Sequence, residues 1–368
     1  MKTIRVQLQE RSYPIFISHE KNEFKVFAEK LARLKPGNSA LIITNPTIGG
    51  LYVSKLINAL EANGIHACRY YVKDSEESKS IKTFVAVVQK ASSLDVKKRL
   101  FFIALGGGVV GDLTGFAAAA YKRGIPYVQV PTTLLAQVDS AIGGKTAIDL
   151  PAGKNLVGAF YQPLMVYSDI NVLKSLPLRQ IKSGLAEVIK YGVILDRQLF
   201  GYLEKNYARL LRADPDCLAH VIAAAGRIKA HVVAVDEHET AGFRTILNFG
   251  HTIGHALETA TGYTQLAHGE AVSIGMAAAA DIALELGIFD PKSFWRLINL
   301  LGHLQLPVQA PKVDLKAVLN AFYRDKKFIR GAVRMVLPTK IGHVIVTENI
   351  PWTVINKIIK KRVANHEY

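Results

Sequence analysis

A wholly apolar run, Leu100-Phe101-Phe102-Ile103-Ala104-Leu105, ends directly on Gly106-Gly107-Gly108-Val109-Val110-Gly111-Asp112. A strand with no polar side must be buried on both faces, which fits a parallel sheet covered by helices on each side. The flanking sequence keeps that rhythm. Leu41-Ile42-Ile43-Thr44 reads as a short strand, residues 51–63 as a helix stopping at Gly64, and Arg69-Tyr70-Tyr71-Val72 as a strand. Residues 81–92 read as a helix, residues 113–121 as the helix after the glycines, and Tyr127-Val128-Gln129-Val130 as the next strand. The first half is therefore expected to be α/β.

From about Pro177 the pattern becomes helical: residues 181–194, 218–236, 251–261, 270–286 with Gly287 as a stop, and 293–301. Strand character returns at residues 333–337 and 343–346. A chain of 368 residues suits two domains, and the boundary is expected near Leu176-Pro177. No internal repeat or low-complexity linker is visible, so the active site is expected where the domains meet.

With 49% hydrophobic and 21% charged residues the chain has the balance of a folded soluble protein. No run reads as apolar and long enough to cross a bilayer, and the N-terminus lacks a secretory segment. Cys68 and Cys217 lack metal or disulfide spacing, so a reducing cytoplasm is inferred. The net charge of +16 raises nucleic acid as a partner. The basic residues are scattered, however, as in Lys97-Lys98-Arg99, Lys326-Lys327 and Lys360-Lys361-Arg362, and no nucleic-acid motif accompanies them. A basic solvated surface accounts for most of this charge, with a minority concentrated around an anionic substrate.

Gly106, Gly108 and Gly111 satisfy G-x-G-x-x-G between a strand and a helix, where backbone N–H groups can meet a pyrophosphate. Two features depart from the usual dinucleotide motif. The turn lies well into the chain, and Pro131-Thr132-Thr133, not an acid, ends the next strand. A turn needing glycine for its own geometry remains the alternative. Asp139 to Asp149 and Gly153-Lys154-Asn155 read as a lysine-bearing loop that could approach an anion, or as an ordinary surface loop. It is not a Walker A motif, because Asp139 stands where glycine is required.

His251 and His255 are one helical turn apart, but Thr252 replaces the general base of an H-E-x-x-H metalloprotease. Such a pair is either a helix-face pair or part of a metal site; His268 at the start of the next helix adds weight to the latter. Glu187 could complete a three-ligand catalytic site, or could simply pair with Lys190 at i,i+3.

Together these segments resemble the 3-dehydroquinate synthase family of sugar phosphate cyclases, in the family's order over roughly residues 40–340. The shared stretches are residues 106–112, Tyr121-Lys122-Arg123-Gly124, 130–139, 143–147, 153–156, 186–190, 247–251 and 268–272. The resemblance implies a Rossmann-like NAD-binding α/β domain at 1–177 and a mainly α-helical metal-binding domain at 178–368, usually as a homodimer. It implies Zn²⁺ or Co²⁺ bound by Glu187, His251 and His268, with His255 catalytic and not a ligand. Cofactor contacts would fall on Asn45, Glu76, Lys79, Gly107, Gly108, Val109, Asp112, Thr132, Thr133, Lys145, Lys154, Ser175 and Leu176. Ser75 departs from the family's Gly-Glu-x-x-Lys, and Asn45 stands where an acid is common.

The implied activity belongs to the shikimate pathway of aromatic amino-acid biosynthesis. A 3-deoxy-heptulosonate phosphate loses phosphate and closes to 3-dehydroquinate after transient oxidation by NAD. Lys145, Asn155, Asn248, Lys327 and the partner subunit's Arg123 would grip the phosphate. Arg244 and Lys229 would meet the carboxylate or hydroxyls, while Asp139, Lys154, Lys190 and His255 position groups and relay protons. The alternatives are a related valiolone- or inosose-forming cyclase and, more distantly, a metal-dependent glycerol-type dehydrogenase. Neither nucleic acid nor membrane is an expected partner.

Overall fold

The computed structural model describes residues 1–20, 23–95, 99–324, 328–329 and 332–363. The described chain forms two compact units, Met1–Leu176 with Leu218–His238, and Pro177–Cys217 with Glu239–Tyr368. A single division after residue 177 therefore does not describe the segment Leu218–His238, which groups with the first unit. Lys97, Lys98, Lys326 and Lys327 lie outside the described residues.

In the first unit the elements follow in the order β1 (Lys2–Val6), β2 (Tyr13–Ser18), α1 (Glu23–Leu34), β3 (Ser39–Thr44), α2 (Pro46–Glu61), β4 (His66–Tyr71), α3 (Ile81–Leu94), β5 (Leu100–Gly106), α4 (Gly108–Ala120), β6 (Tyr127–Pro131), β7 (Lys145–Leu150), β8 (Gly153–Phe160) and β9 (Val166–Asp169). Seven strands make one sheet, in the order β1-β2-β9-β6-β5-β3-β4. Only the edge pair β1/β2 is antiparallel; the others run parallel. As the apolar runs required, β3 and β5 are buried along their whole length. Phe27, Leu31, Val53 and Leu56 cover one face over Ile42, Phe101 and Ile103. Val87, Ala91, Leu113 and Ala117 cover the other over Leu41, Ile43 and Phe102.

Two local expectations are corrected. The helix after the glycines starts at Gly108, not Leu113, because Gly107 itself takes the extended N-cap conformation. The lysine-bearing segment is not a loop: β7 and β8 pair as an antiparallel hairpin. Glycines and lysines in both strands conceal the alternation there, while Thr146, Ala147 and Ile148 are buried.

The second unit contains α5 (Leu178–Ile194) and α6 (Arg197–Leu211), with α7 (Pro215–Val235) passing back into the first unit. It continues through α8 (His251–Ala260), α9 (His268–Glu285), α10 (Pro291–His303) and α11 (Leu315–Arg324). Short strands β10 (Phe328–Ile329), β11 (Ala332–Val333), β12 (Met335–Lys340) and β13 (His343–Thr347) precede α12 (Trp352–Val363). Contrary to the sequence expectation, α7 is long and apolar enough to cross a bilayer by length and composition, but 67% of its apolar window is buried within the protein. Core helices pass that test.

Glycines set the spacing of three helices. A Cβ on Gly269 of α9 would lie 2.3 Å from the Ser183 carbonyl oxygen of α5, and one on Gly275 would lie 1.9 Å from the Gly250 oxygen before α8. Gly250 itself has φ 79°, a backbone state that favours glycine. Gly275→Ala is expected to destabilise the protein by about 1–3 kcal/mol or more, because rigid backbone must move. Gly302→Ala on α10, where nothing lies within 4 Å, should be neutral or stabilising by up to about 1 kcal/mol. Chemical denaturation of both variants checks this, and equal midpoints would refute it.

Candidate active site

The first group of expected residues gathers at the carboxyl ends of neighbouring strands. β3 is followed by β4 on one side of it, whereas β5 lies on the other, so the strand order reverses between β3 and β5. Open α/β sheets bind ligands outside such a point. Asn45 follows β3, Gly107, Gly108 and Val109 follow β5, and Thr132 and Thr133 follow β6. The N-terminus of α4 thus offers backbone donors suited to an anion. The glycines also serve the turn: a Cβ on Gly106 would lie 2.7 Å from Val110 Cβ, and one on Gly107 would lie 3.1 Å from Thr133 Cγ2. The two readings of the motif are compatible. Asn45 caps α2, its Oδ1 accepting from Ile48 N at 2.8 Å, and its Nδ2 donates to Asp74 Oδ1 at 2.8 Å.

Around a buried lysine, residues distant in sequence come together. Lys79, 4% exposed, pairs with Asp112 at 2.9 Å, lies 3.6 Å from Glu76 and 3.9 Å from Asp149, and contacts Asn155 Oδ1. Lys154 lies 3.3 Å from Glu76. Asn155 has φ 55° and donates its backbone N–H to Asp149 Oδ1 at 2.7 Å. Burial opposes the charge on Lys79, but Asp112, Glu76 and Asp149 overcome it and raise its pKa. Burial pushes Asp112 up to about 6 despite Lys79. Asp149 was not singled out from the sequence; its signal is its place near the end of β7, between Lys145 and Lys154 in the chain.

Elsewhere in this unit, Lys229 on α7 donates to Asp139 Oδ1 at 2.7 Å and to its carbonyl oxygen at 2.8 Å. Ser175 Oγ, beside Leu176, lies 2.7 Å from Tyr52 OH. Lys145 opens β7 and is exposed. Arg123 is exposed in a left-handed turn with Lys122, which pairs with Asp95 at 2.5 Å.

The second unit carries the metal-type group. Glu187 comes from the middle of α5, while His251 and His268 are the first residues of α8 and α9. One ligand atom from each lies within 4.8 Å of the others. His251 Nε2 and His268 Nε2 are each 3.5 Å from Glu187 Oε1. Their Nδ1 atoms face away, to Phe249 O at 3.1 Å and to Glu258 Oε1 at 3.2 Å. A proton held on each Nδ1 leaves the Nε2 lone pair available, so this donor set fits a three-ligand catalytic metal site. Glu187 also contacts Lys190, so the i,i+3 pair is present beside the metal-type group. Burial keeps His251 well below the usual imidazole range against the pull of Glu187. For His268 burial is outweighed by Glu187 and Glu258, which lift it to about 10.

His255 stands outside the three-residue group, its ring 5.3 Å from that of His251 and 6.4 Å from that of His268. Arg244 is buried with its Nε 3.5 Å from Glu239 Oε1, and Asn248 ends the 3₁₀ turn before Gly250. Lys327 lies outside the described residues. Glu258 was missed from the sequence, although its spacing of seven from His251 puts both on one face of α8.

Residues 69–183 match the family described as 3-dehydroquinate synthase N-terminal, and residues 184–328 match 3-dehydroquinate synthase C-terminal. The chain is 44% identical over 362 residues to the 3-dehydroquinate synthase of Thermodesulfovibrio yellowstonii, covering 98% of this chain and 100% of that one. It is similar to a solved 2-deoxy-scyllo-inosose synthase complexed with carbaglucose-6-phosphate, NAD⁺ and Co²⁺ (TM-score 0.89, 26% identity, 98% and 100% of the two chains). It is also similar to 2-epi-5-epi-valiolone synthase from Streptomyces hygroscopicus with NAD⁺ and Zn²⁺ bound (TM-score 0.86, 27% identity, 96% and 98%). By both its family matches and its full-length relative, the chain belongs to the 3-dehydroquinate synthase family.

Proposed function

We propose that this chain converts 3-deoxy-D-arabino-heptulosonate 7-phosphate into 3-dehydroquinate and phosphate, acting as a carbon–oxygen lyase with NAD⁺ and Zn²⁺ or Co²⁺. The observation that carries the reading is the convergence of Glu187, His251 and His268, both rings anchored through Nδ1, in a chain of this family. When bound, NAD⁺ would supply reversible hydride transfer with no net redox change, and the metal ion would supply Lewis-acid polarisation.

The chain's own residues do the rest. Glu187, His251 and His268 would hold the metal. Gly107, Gly108, Val109, Thr132 and Thr133 would take the dinucleotide, with Asn45, Glu76, Lys79, Asp112, Ser175 and Leu176 around it. Lys145, Asn155, Asn248 and Lys327 would meet the substrate phosphate and stabilise the departing dianion by charge-assisted hydrogen bonds. The Lys79 network supports this role by fixing Asn155 from two sides. Arg244 and Lys229 would hold the carboxylate and hydroxyls. Asp139, Lys154, Lys190 and His255 would position groups and move protons at the reacting oxygens. Fixing the opened chain in one orientation would remove most of the conformational search from the closing intramolecular aldol step.

We read the enzyme as a cytoplasmic homodimer. The exposed Arg123, displayed by a left-handed turn, supports service at the neighbouring subunit's phosphate site. The burial of α7 supports a soluble protein.

Glu187→Ala, His251→Ala and His268→Ala should each lose both bound metal and turnover, because three ligands leave no redundancy. Metal analysis of the purified variants checks this; full metal content in one of them removes that residue from the ligand set. Purified protein supplied with NAD⁺ and the heptulosonate phosphate should release phosphate and form the carbocycle without accumulating NADH. Stoichiometric growth of the NADH absorbance would instead mark a dehydrogenase. Lys145→Ala should weaken capture of the phosphorylated substrate by about 1.5–3 kcal/mol, the scale of a charged hydrogen bond, and weaken NAD⁺ binding much less. Calorimetry with a ligand lacking the phosphate should show a smaller loss; equal losses would assign Lys145 to the fold or the cofactor.

A further inference from the structure

We infer that Glu258 is a positioning residue of the metal centre, holding the His268 ring so that its Nε2 faces Glu187. The inference rests on the metal reading of Glu187, His251 and His268. Glu258 follows His251 by seven residues and His255 by three, so α8 presents all three on one face. Its carboxylate is buried, and Oε1 lies 3.2 Å from His268 Nδ1, within hydrogen-bond range. Burying a carboxylate is unfavourable unless it is paired, and His268 is a partner it meets from the neighbouring helix.

The two imidazoles are supported differently. The His251 side chain is 12% exposed and its Nδ1 meets a backbone carbonyl, an uncharged acceptor fixed by the chain. Both histidines open a helix, but the His268 side chain is 30% exposed, so packing restrains it less. Glu258 supplies what packing does not. By accepting a hydrogen bond from Nδ1–H it fixes the tautomer and the ring plane, and its negative charge makes Nε2 the stronger donor. Glu258 touches neither substrate nor cofactor in this account and acts only through His268.

The test uses full-length protein freed of metal by a chelator. Co²⁺ is titrated while the visible absorption of the bound ion is followed, and Zn²⁺ is then added in competition. Glu258→Gln, nearly isosteric and neutral, should bind Co²⁺ about tenfold more weakly and with shifted bands, and Glu258→Ala about 10–100-fold more weakly. The metal-free Tm of Glu258→Gln should stay close to that of the wild type. Unchanged Co²⁺ affinity and spectrum in Glu258→Gln overturn the inference, whatever happens to stability, since Glu258 would then be a packing residue. Failure of the wild type to bind Co²⁺, or undiminished binding by His251→Ala, would instead overturn the metal-centre reading on which the inference stands.

Discussion

The second unit depends on backbone contacts that only a hydrogen side chain allows. Helix axes usually lie about 8–10 Å apart, at a distance set by the side chains between them. Here Gly269 sits against Ser183, and its N–H donates to Ser183 Oγ at 2.9 Å. Gly275 sits against Gly250. Each contact adjoins a metal-type ligand: Gly269 follows His268, Gly250 precedes His251, and Glu187 lies one turn beyond Ser183. The convergence of a carboxylate and two imidazoles is thus set by main chain, and the side chains need little reach.

Charge in the chain is sorted by burial. A lysine or arginine removed from water must be paired, and among the described residues Lys79, Lys190, Lys229, Arg244 and Arg362 are buried. Each meets an acid: Asp112, Glu187, Asp139, Glu239 and Asp281 respectively. The first four are residues that the sequence resemblance singled out. Arg362 belongs to a different task, fastening α12 to α9 with its Nε 2.6 Å from Asp281 Oδ2. The large net positive charge says little by itself; its few buried members say more.

Much of the first unit was legible because burial on both faces leaves an unmistakable apolar run, as in β3 and β5. The glycine turn was legible as a turn, while its double duty in packing and anion approach needed coordinates. The β7/β8 hairpin was not, since lysine and glycine obscure its alternation. α6 was missed as well: it starts after Asp196, which caps it by accepting from Gln198 N and Leu199 N, two residues beyond the end of α5. The i,i+4 pair His251 and His255 points to a local metal motif, yet the converging triad draws on three helices. No local spacing encodes that, and only the order of motifs along the whole chain did.

The return of α7 into the first unit has a consequence for synthesis. Asp139 awaits Lys229, Arg11 pairs with Glu237 at 2.8 Å, and a Cβ at Gly226 would lie 3.1 Å from Ile4 Cδ1. A chain emerging from a ribosome cannot complete this unit when Leu176 appears. It must wait for the stretch ending at His238, some 62 residues more, or about 3–12 s at typical rates of synthesis. During that interval α5 and α6 are already available while the first unit still lacks its last helix. The two units are therefore interleaved in time, and neither has a simple head start over the other.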